Sequence, residues 1–285
     1  MLLAPTIIYF VVFSYVPFYG VAIAFKKFQP FLGIWDSPWV GWQNFATMFT
    51  SKKFPELLAN TVLISMYRLV FGFPVPILFA LLLNEVRIMW FKRTVQTITY
   101  FPHFLSWVVF GGIVFHVIGP SGIINLLLDK LGMEAVNLAA NPDVFRPLVV
   151  ITAILKEFGW SAIIYLAALT GIDPHQYEAA KVDGASRLRQ IWHVTLPGIR
   201  PMIAMLFILQ LSSILDAGFE QILILSNPVV YGVGDIIDTY VYRVGLLESN
   251  YGLATAVGLF KGVIAAVLII TANHYIRKTG EKSLW

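Results

Sequence analysis

Six apolar runs, each long enough to cross a lipid bilayer, constrain this 285-residue chain more than any other feature. An α-helix rises about 1.5 Å per residue, so about 20 residues cross a hydrocarbon layer of roughly 30 Å. The runs are Leu2–Phe25, Leu57–Leu83, Thr94–Gly119, Arg146–Thr170, Pro201–Leu225 and Tyr251–Tyr275. Charged residues make up only 13% of the chain, about half the usual share of a soluble domain. The expected fold class is therefore an all-α integral membrane protein with about six transmembrane helices. Fifteen prolines and 21 glycines fit that reading, because membrane helices tolerate both. Pro74 and Pro76 are expected to bend the second span. The opening Met1-Leu2-Leu3-Ala4-Pro5 lacks the basic region of a secretory signal, so the first run reads as an uncleaved span. Nothing positive precedes that run, and whether a basic leader is missing stays open.

The segments between the runs carry the polar chemistry. Tyr15, Phe18 and Tyr19 suit an interfacial belt. Residues 26–56 hold Trp35, Trp39 and Trp42 and are expected to form an ordered segment on the outer membrane face. The sequence from Leu126 to Gly132 suggests a short amphipathic helix on that same face, and Ser226–Asn250 reads as an outer loop. With both ends inside, the inner segments carry ten of the twenty Lys and Arg residues and the outer segments seven. The bias agrees with the positive-inside rule.

A charged island, Tyr177 to Pro197, separates the fourth and fifth runs. Asp173 is a good N-cap and Pro174 suits a first helical position. Gly184 can end that helix in the left-handed conformation. Pro197 and Pro201 are expected to break a second short helix and restart the chain as a span. The island thus reads as two short helices joined at a glycine, lying at a membrane surface and shaped to be gripped.

Glu178-Ala179-Ala180, Gly184 and Val194-Thr195-Leu196-Pro197 stand at the spacing of the EAA signature. The chain therefore resembles the permease subunits of binding-protein-dependent ABC importers. The stretch Pro17 to Lys26, with Ser37-Pro38-Trp39-Val40-Gly41 after it, resembles the polysaccharide branch of the maltose-permease-like sugar importers. That branch handles oligosaccharides such as alginate or rhamnogalacturonan fragments. The resemblance implies a type I importer permease fold, a single transmembrane domain over residues 1–285, and a coupling helix within residues 171–201. It assigns Glu178, Ala179, Ala180, Asp183, Gly184, Leu196 and Pro197 to coupling with an ATPase. Glu178 would meet a basic group or cap its own helix, and the two alanines would keep one face thin. The implied partners are two ABC ATPases, a second homologous permease, an extracytoplasmic solute-binding protein, membrane lipid and an oligosaccharide. The implied location is the bacterial cytoplasmic membrane.

No catalytic set is expected. The chain has no phosphate loop, the nearest stretch being Gly280-Glu281-Lys282-Ser283, and no cysteine. Its five histidines lack metal-ligand spacing. A net charge of +4 with dispersed basic residues does not suggest nucleic acid. No cofactor is expected on this chain, and ATP and Mg would belong to the ATPase partners.

With Arg146, at the edge of the fourth run, counted in the outer segment, six charges fall within runs: Arg68, Lys156, Glu157, Asp216, Glu220 and Lys261. Left unpaired at the bilayer centre they would cost on the order of 15–20 kcal/mol together. They must pair or face a water-filled path. Asp216 and Glu220 would share a helix face near Gln210 and Ser213, which is the candidate lining of a sugar path. Trp160, Tyr165 and Tyr240 could supply flat surfaces for sugar rings, and Lys156 and Lys261 complete the candidates. Arg68, Lys156 and Lys261 suit an acidic sugar, whereas Asp216 and Glu220 argue against one. Gly258 and Gly262 suggest close helix packing in the sixth span. A secondary transporter using the buried acids and an ion gradient is the alternative, and a membrane enzyme is disfavoured.

Overall fold

The computed structural model describes residues 3–278, and among these no strand forms beyond one isolated antiparallel bridge between Lys26 and Trp39. Six stretches are long and apolar enough to cross a membrane: Ala4–Phe25, Lys53–Glu85, Trp107–Lys130, Pro142–Thr170, Arg187–Leu211 and Tyr251–Thr271. The side chains of Arg277 and Lys278, and all of Gly280 to Ser283, lie outside the described residues.

Three spans differ from their sequence expectation for identifiable reasons. The fifth begins at Arg187 rather than Pro201, because neither proline breaks it. A π-turn over Ile191–Thr195 precedes Pro197, and Pro201 then sits inside the helix Leu196–Ser212. Such wide turns relieve the crowding a proline ring causes. A second π-turn, Arg68–Gly72, precedes Pro74 in the second span. The third run is not one helix. Met89–Tyr100 ends in a tight turn at Phe101–Phe104, and Ser106 then caps Trp107–Ile118 by accepting from the Val109 N–H at 3.3 Å. Gly119 and Gly122 are extended, so Ile123–Lys130 is a separate helix, as its amphipathic pattern suggests. The polar segment after Ser226 is no open loop. It folds into the short helical pieces Pro228–Val230, Tyr231–Gly234 and Ile237–Tyr242, followed by a π-turn at Arg243–Leu247.

The described residues form two compact units, 3–61 with 235–266, and 62–234 with 267–278. In the first, Phe45, Met48, Leu57, Ile237 and Val257 build a dry core. Its polar centre is Asp235, 1% exposed, which takes an ion pair from Arg243, a longer one from Lys53 at 3.6 Å, and a hydrogen bond from the Thr239 hydroxyl at 2.7 Å. The tryptophan segment is ordered, as expected. The Lys26 ammonium donates to the carbonyls of Ile34 and Trp35 at 2.6 and 2.9 Å, and Phe25 stacks on Trp39.

In the second unit the fourth span is the central post. Ile77, Ala80 and Leu81 of the second span pack on its Ala162, Tyr165 and Leu169, with Ile199 of the fifth closing the cluster. A Cβ on Gly159 would overlap the Thr99 carbonyl, so glycine lets the helix Met89–Tyr100 approach closely. The fully buried Gln221 amide donates to the Val149 carbonyl and the Thr152 hydroxyl, both at 2.7 Å.

The fifth membrane helix ends at Ser212, and Phe219–Leu225 is a new helix. Between them Ala217 and Gly218 are left-handed, with φ of 44° and 85°. A Cβ on Gly218 would fall inside the Arg68 guanidinium. Gly218→Ala should therefore destabilise the protein by at least about 1 kcal/mol, read as a lower unfolding temperature in detergent. Gly258→Ala, where a Cβ meets nothing within 4 Å, should be tolerated in the same assay.

Candidate functional site

The charged island forms the foot its local sequence anticipates. Asp173 caps Pro174–Val182, its side chain accepting from the His175 N–H at 3.0 Å. At the other end Gly184 is left-handed, at φ 74°. The Ala185 N–H donates to the Ala180 carbonyl at 2.9 Å and the Gly184 N–H to Lys181 at 3.0 Å. This is a Schellman closure, which satisfies carbonyls at the helix end. Ser186 starts the next turn, its side chain accepting from the Arg189 N–H at 3.4 Å.

A nine-residue helix is too short to persist on propensity alone, so the caps and a few ties hold it. Tyr177 meets the Thr195 hydroxyl at 3.1 Å, and Arg187 donates to Glu85 at 2.7 Å. None of the residues of Pro174–Val182 is buried. Glu178, Ala179, Asp183, Gly184 and Pro197 are exposed, while Ala180 and Leu196 are partly covered. Glu178 faces its neighbour His175 at 3.3 Å, leaving the cap to Asp173. Val182, an apolar residue beside Gly184, is 88% exposed.

The second feature is a cavity of about 400 Å³ in the larger unit, bounded by the second, fourth and fifth spans. Of the candidates for a sugar path, Trp160, Tyr165, Gln210 and Ser213 line it, together with Arg68, Glu157 and Ser161. Asp216, Glu220, Lys156 and Lys261 are absent from the lining. The helix break explains the first two. Asp216 belongs to a short turn, Ile214–Asp216, and Glu220 to the following helix, so no continuous helical face joins them to Gln210.

Lys156 is 5% exposed and turned to a structural task. Its ammonium donates to the His103 carbonyl at 2.9 Å, approaches Glu157 at 3.4 Å and sits 5.3 Å from the Trp107 ring centre. His103 bonds the other Glu157 oxygen at 2.7 Å and stacks on Trp160 at 4.5 Å. In the smaller unit, Lys261 reaches both oxygens of Asp238 at 2.7 and 2.8 Å, and Tyr240 lies near Arg243, 5.9 Å from ring centre to guanidinium. Among the described residues, a Cβ at Gly258 or Gly262 would meet no atom within 4 Å, so no close packing appears there.

Sequence reasoning missed Asp235 and Asp238 as ion-pair partners, since they lie in what reads as an outer loop. An in-span cation needs an acid, but Glu248 lies nearer the sixth span in sequence than Asp238 does, so sequence proximity does not single out the partner of Lys261.

Residues 72–280 match the family of binding-protein-dependent transport system inner membrane components. The chain belongs to that family. It is 47% identical, over 100% of its length and 89% of the relative's, to the polygalacturonan/rhamnogalacturonan transport system permease protein YteP of Bacillus subtilis (strain 168). A chain from the crystal structure of a bacterial ABC transporter that imports the acidic polysaccharide alginate superposes with a TM-score of 0.90 at 43% identity, covering 97% of this chain and 94% of that one. A chain from a bacterial alginate ABC transporter in complex with an alginate pentasaccharide-bound periplasmic protein gives 0.91 at 41% identity, covering 99% and 95%. The permease thus has the type I ABC importer permease fold and is a multi-pass inner-membrane protein. Its relatives are non-catalytic transport subunits, and nothing in the comparisons supports the ion-gradient alternative.

The Lys261–Asp238 contact gives a direct test of a structural role for that lysine. Lys261→Met should lower stability by on the order of 1.5–3 kcal/mol, by removing the ammonium that both oxygens of the partly buried Asp238 carboxylate accept from. Adding Asp238→Asn should recover part of the loss in a double-mutant cycle read by thermal unfolding.

Proposed function

We propose that this permease carries an acidic oligosaccharide across the cytoplasmic membrane by alternating access, driven by separate ATPase subunits that bind ATP and Mg. A solute-binding protein delivers the sugar at the outer face, and a second, similar permease completes the path. The carrying observation is full-length similarity to a polygalacturonan/rhamnogalacturonan permease, with two alginate-importer chains close behind.

The foot supports the coupling half of this reading. It is an exposed helix closed at both ends, with apolar Val182 held out beside Gly184. Glu178, Ala179, Ala180 and Asp183 present a narrow polar surface to an ATPase cleft, and Leu196 and Pro197 lead into the fifth span. Arg187 ties the foot to Glu85 at the end of the second span. A push on the foot therefore reaches two spans that pack on the same central post.

The cavity supports the transport half. An indole face at Trp160, with Gln210, Ser213, Ser161 and the Tyr165 hydroxyl around it, is the mixture of flat and hydrogen-bonding surface that sugar rings use.

Gly184→Val places a β-branched side chain at φ 74°, a conformation it strongly resists. In proteoliposomes holding the complete importer, uptake of an oligogalacturonate should fall at least about tenfold, the effect of a barrier change near 1.4 kcal/mol. Unchanged uptake and unchanged sugar-stimulated ATP hydrolysis in that variant would refute the coupling role.

A further inference from the structure

We infer that Arg68 receives a carboxylate group of the transported sugar inside the cavity of the larger unit. This rests on the reading that an oligosaccharide passes through that cavity, and it adds a specificity residue to it. Arg68 and Glu157 are the charged residues of the cavity lining, with opposite signs. Their availability differs. Both Glu157 oxygens are engaged, Oε2 by His103 at 2.7 Å and Oε1 by Lys156 at 3.4 Å. Glu157 therefore keeps acceptor sites for sugar hydroxyls, while its charge, offset by Lys156, repels an anion less than a lone carboxylate would.

Arg68 is placed differently. Its side chain is half-buried, and its guanidinium lies over the bare backbone of Gly218, at the left-handed corner that ends the fifth membrane helix. Glu157 and Asp216 are the acids whose charges act on it. The first is already shared and the second is exposed. A guanidinium carries five N–H donors in a planar fork and stays charged at any physiological pH, so it retains donors that match a carboxylate edge. Lys156 cannot serve instead, because its ammonium is committed to the His103 carbonyl and lies over Trp107.

The geometry makes the cavity selective. Gln210, Ser213 and Ser161 satisfy hydroxyls on any sugar, while Arg68 distinguishes a uronate from the neutral sugar of the same shape. A half-buried fork left without its anion makes the neutral sugar the weaker ligand. Gly218 is a positioning residue here, since any side chain at that corner would displace the guanidinium.

The test uses the purified, complete importer without its binding protein, so that discrimination comes from the membrane subunits. Its unfolding temperature is followed against trigalacturonate and against the same trisaccharide with its carboxyl groups reduced to alcohols. The wild type should bind the acid form on the order of tenfold more tightly, the value of a charge-assisted hydrogen bond near 1.4 kcal/mol. Arg68→Gln should bind both forms with equal, weak affinity, and Arg68→Lys should restore part of the preference. A preference for the acid form surviving in Arg68→Gln overturns the inference. So does equal binding of the two forms by wild type, or no binding of either. Uptake of trigalacturonate by the wild-type importer with its binding protein, measured alongside, separates these outcomes from failure of the import reading itself.

Discussion

Hydrocarbon offers no hydrogen-bond partner to a peptide group, and this single constraint shapes the rest of the structure. It makes the spans helical and decides how each interruption is handled. At Pro74 and Pro197 a π-turn just upstream absorbs the proline, and the helix goes on. At Ser213–Gly218 it does not go on, and the irregular backbone there is tucked under protein. Leu215 and Ala217 are buried, and Arg68 covers Gly218. Broken backbone at membrane depth is tolerated where protein or a polar cavity meets it. Ser213, at the start of this break, also lines the cavity. The interruption and the polar cavity therefore belong together: one supplies the corner, the other the polar surroundings that keep it from lipid.

The same constraint governs the in-span charges. Lys156 is satisfied by a carbonyl, a carboxylate and an indole face, and Lys261 by Asp238. Isolated cations in lipid cost several kcal/mol, and these ties remove the cost. Arg68, the third cation inside an apolar run, lines the cavity together with Glu157. Lys156 and Lys261 are thus tied to protein partners, whereas Arg68 borders the cavity.

How much of this was legible in the sequence depended on range. The foot was readable because its determinants are local: Asp173 before Pro174, Gly184 at the helix end, and Ser186 at the next start all act within a few residues. The six apolar stretches were readable from length alone, and their ends were not. Pro201 looked like a boundary because a π-turn carries no sequence mark, and Ser106 looked like part of a run because its cap is one polar residue among apolar ones. Trp160, Tyr165, Gln210 and Ser213 meet at one cavity, although the sequence pattern links only Gln210 and Ser213. Asp216 and Glu220 do not join them, because the i, i+4 rule presumes a helix that Ala217 and Gly218 interrupt. Ion pairs such as Lys261 with Asp238 join segments that fold back through an apparent loop, and composition does not choose among acids there.

The account turns on a polar foot that lipid excludes and that a separate motor grips. The chain contains no cysteine, so a thiol placed at Val182, 88% exposed at the foot's end, would be its only one. In the assembled importer, cross-linking of Val182→Cys to an ATPase subunit bearing single cysteines in its cleft is the most direct measurement. The account predicts a cross-link at Val182 whose yield changes with nucleotide, and none from Leu131→Cys, which is also exposed but belongs to the segment expected on the outer face. Absence of any cross-link from Val182 to the ATPase, or equal yields from both positions, would contradict it.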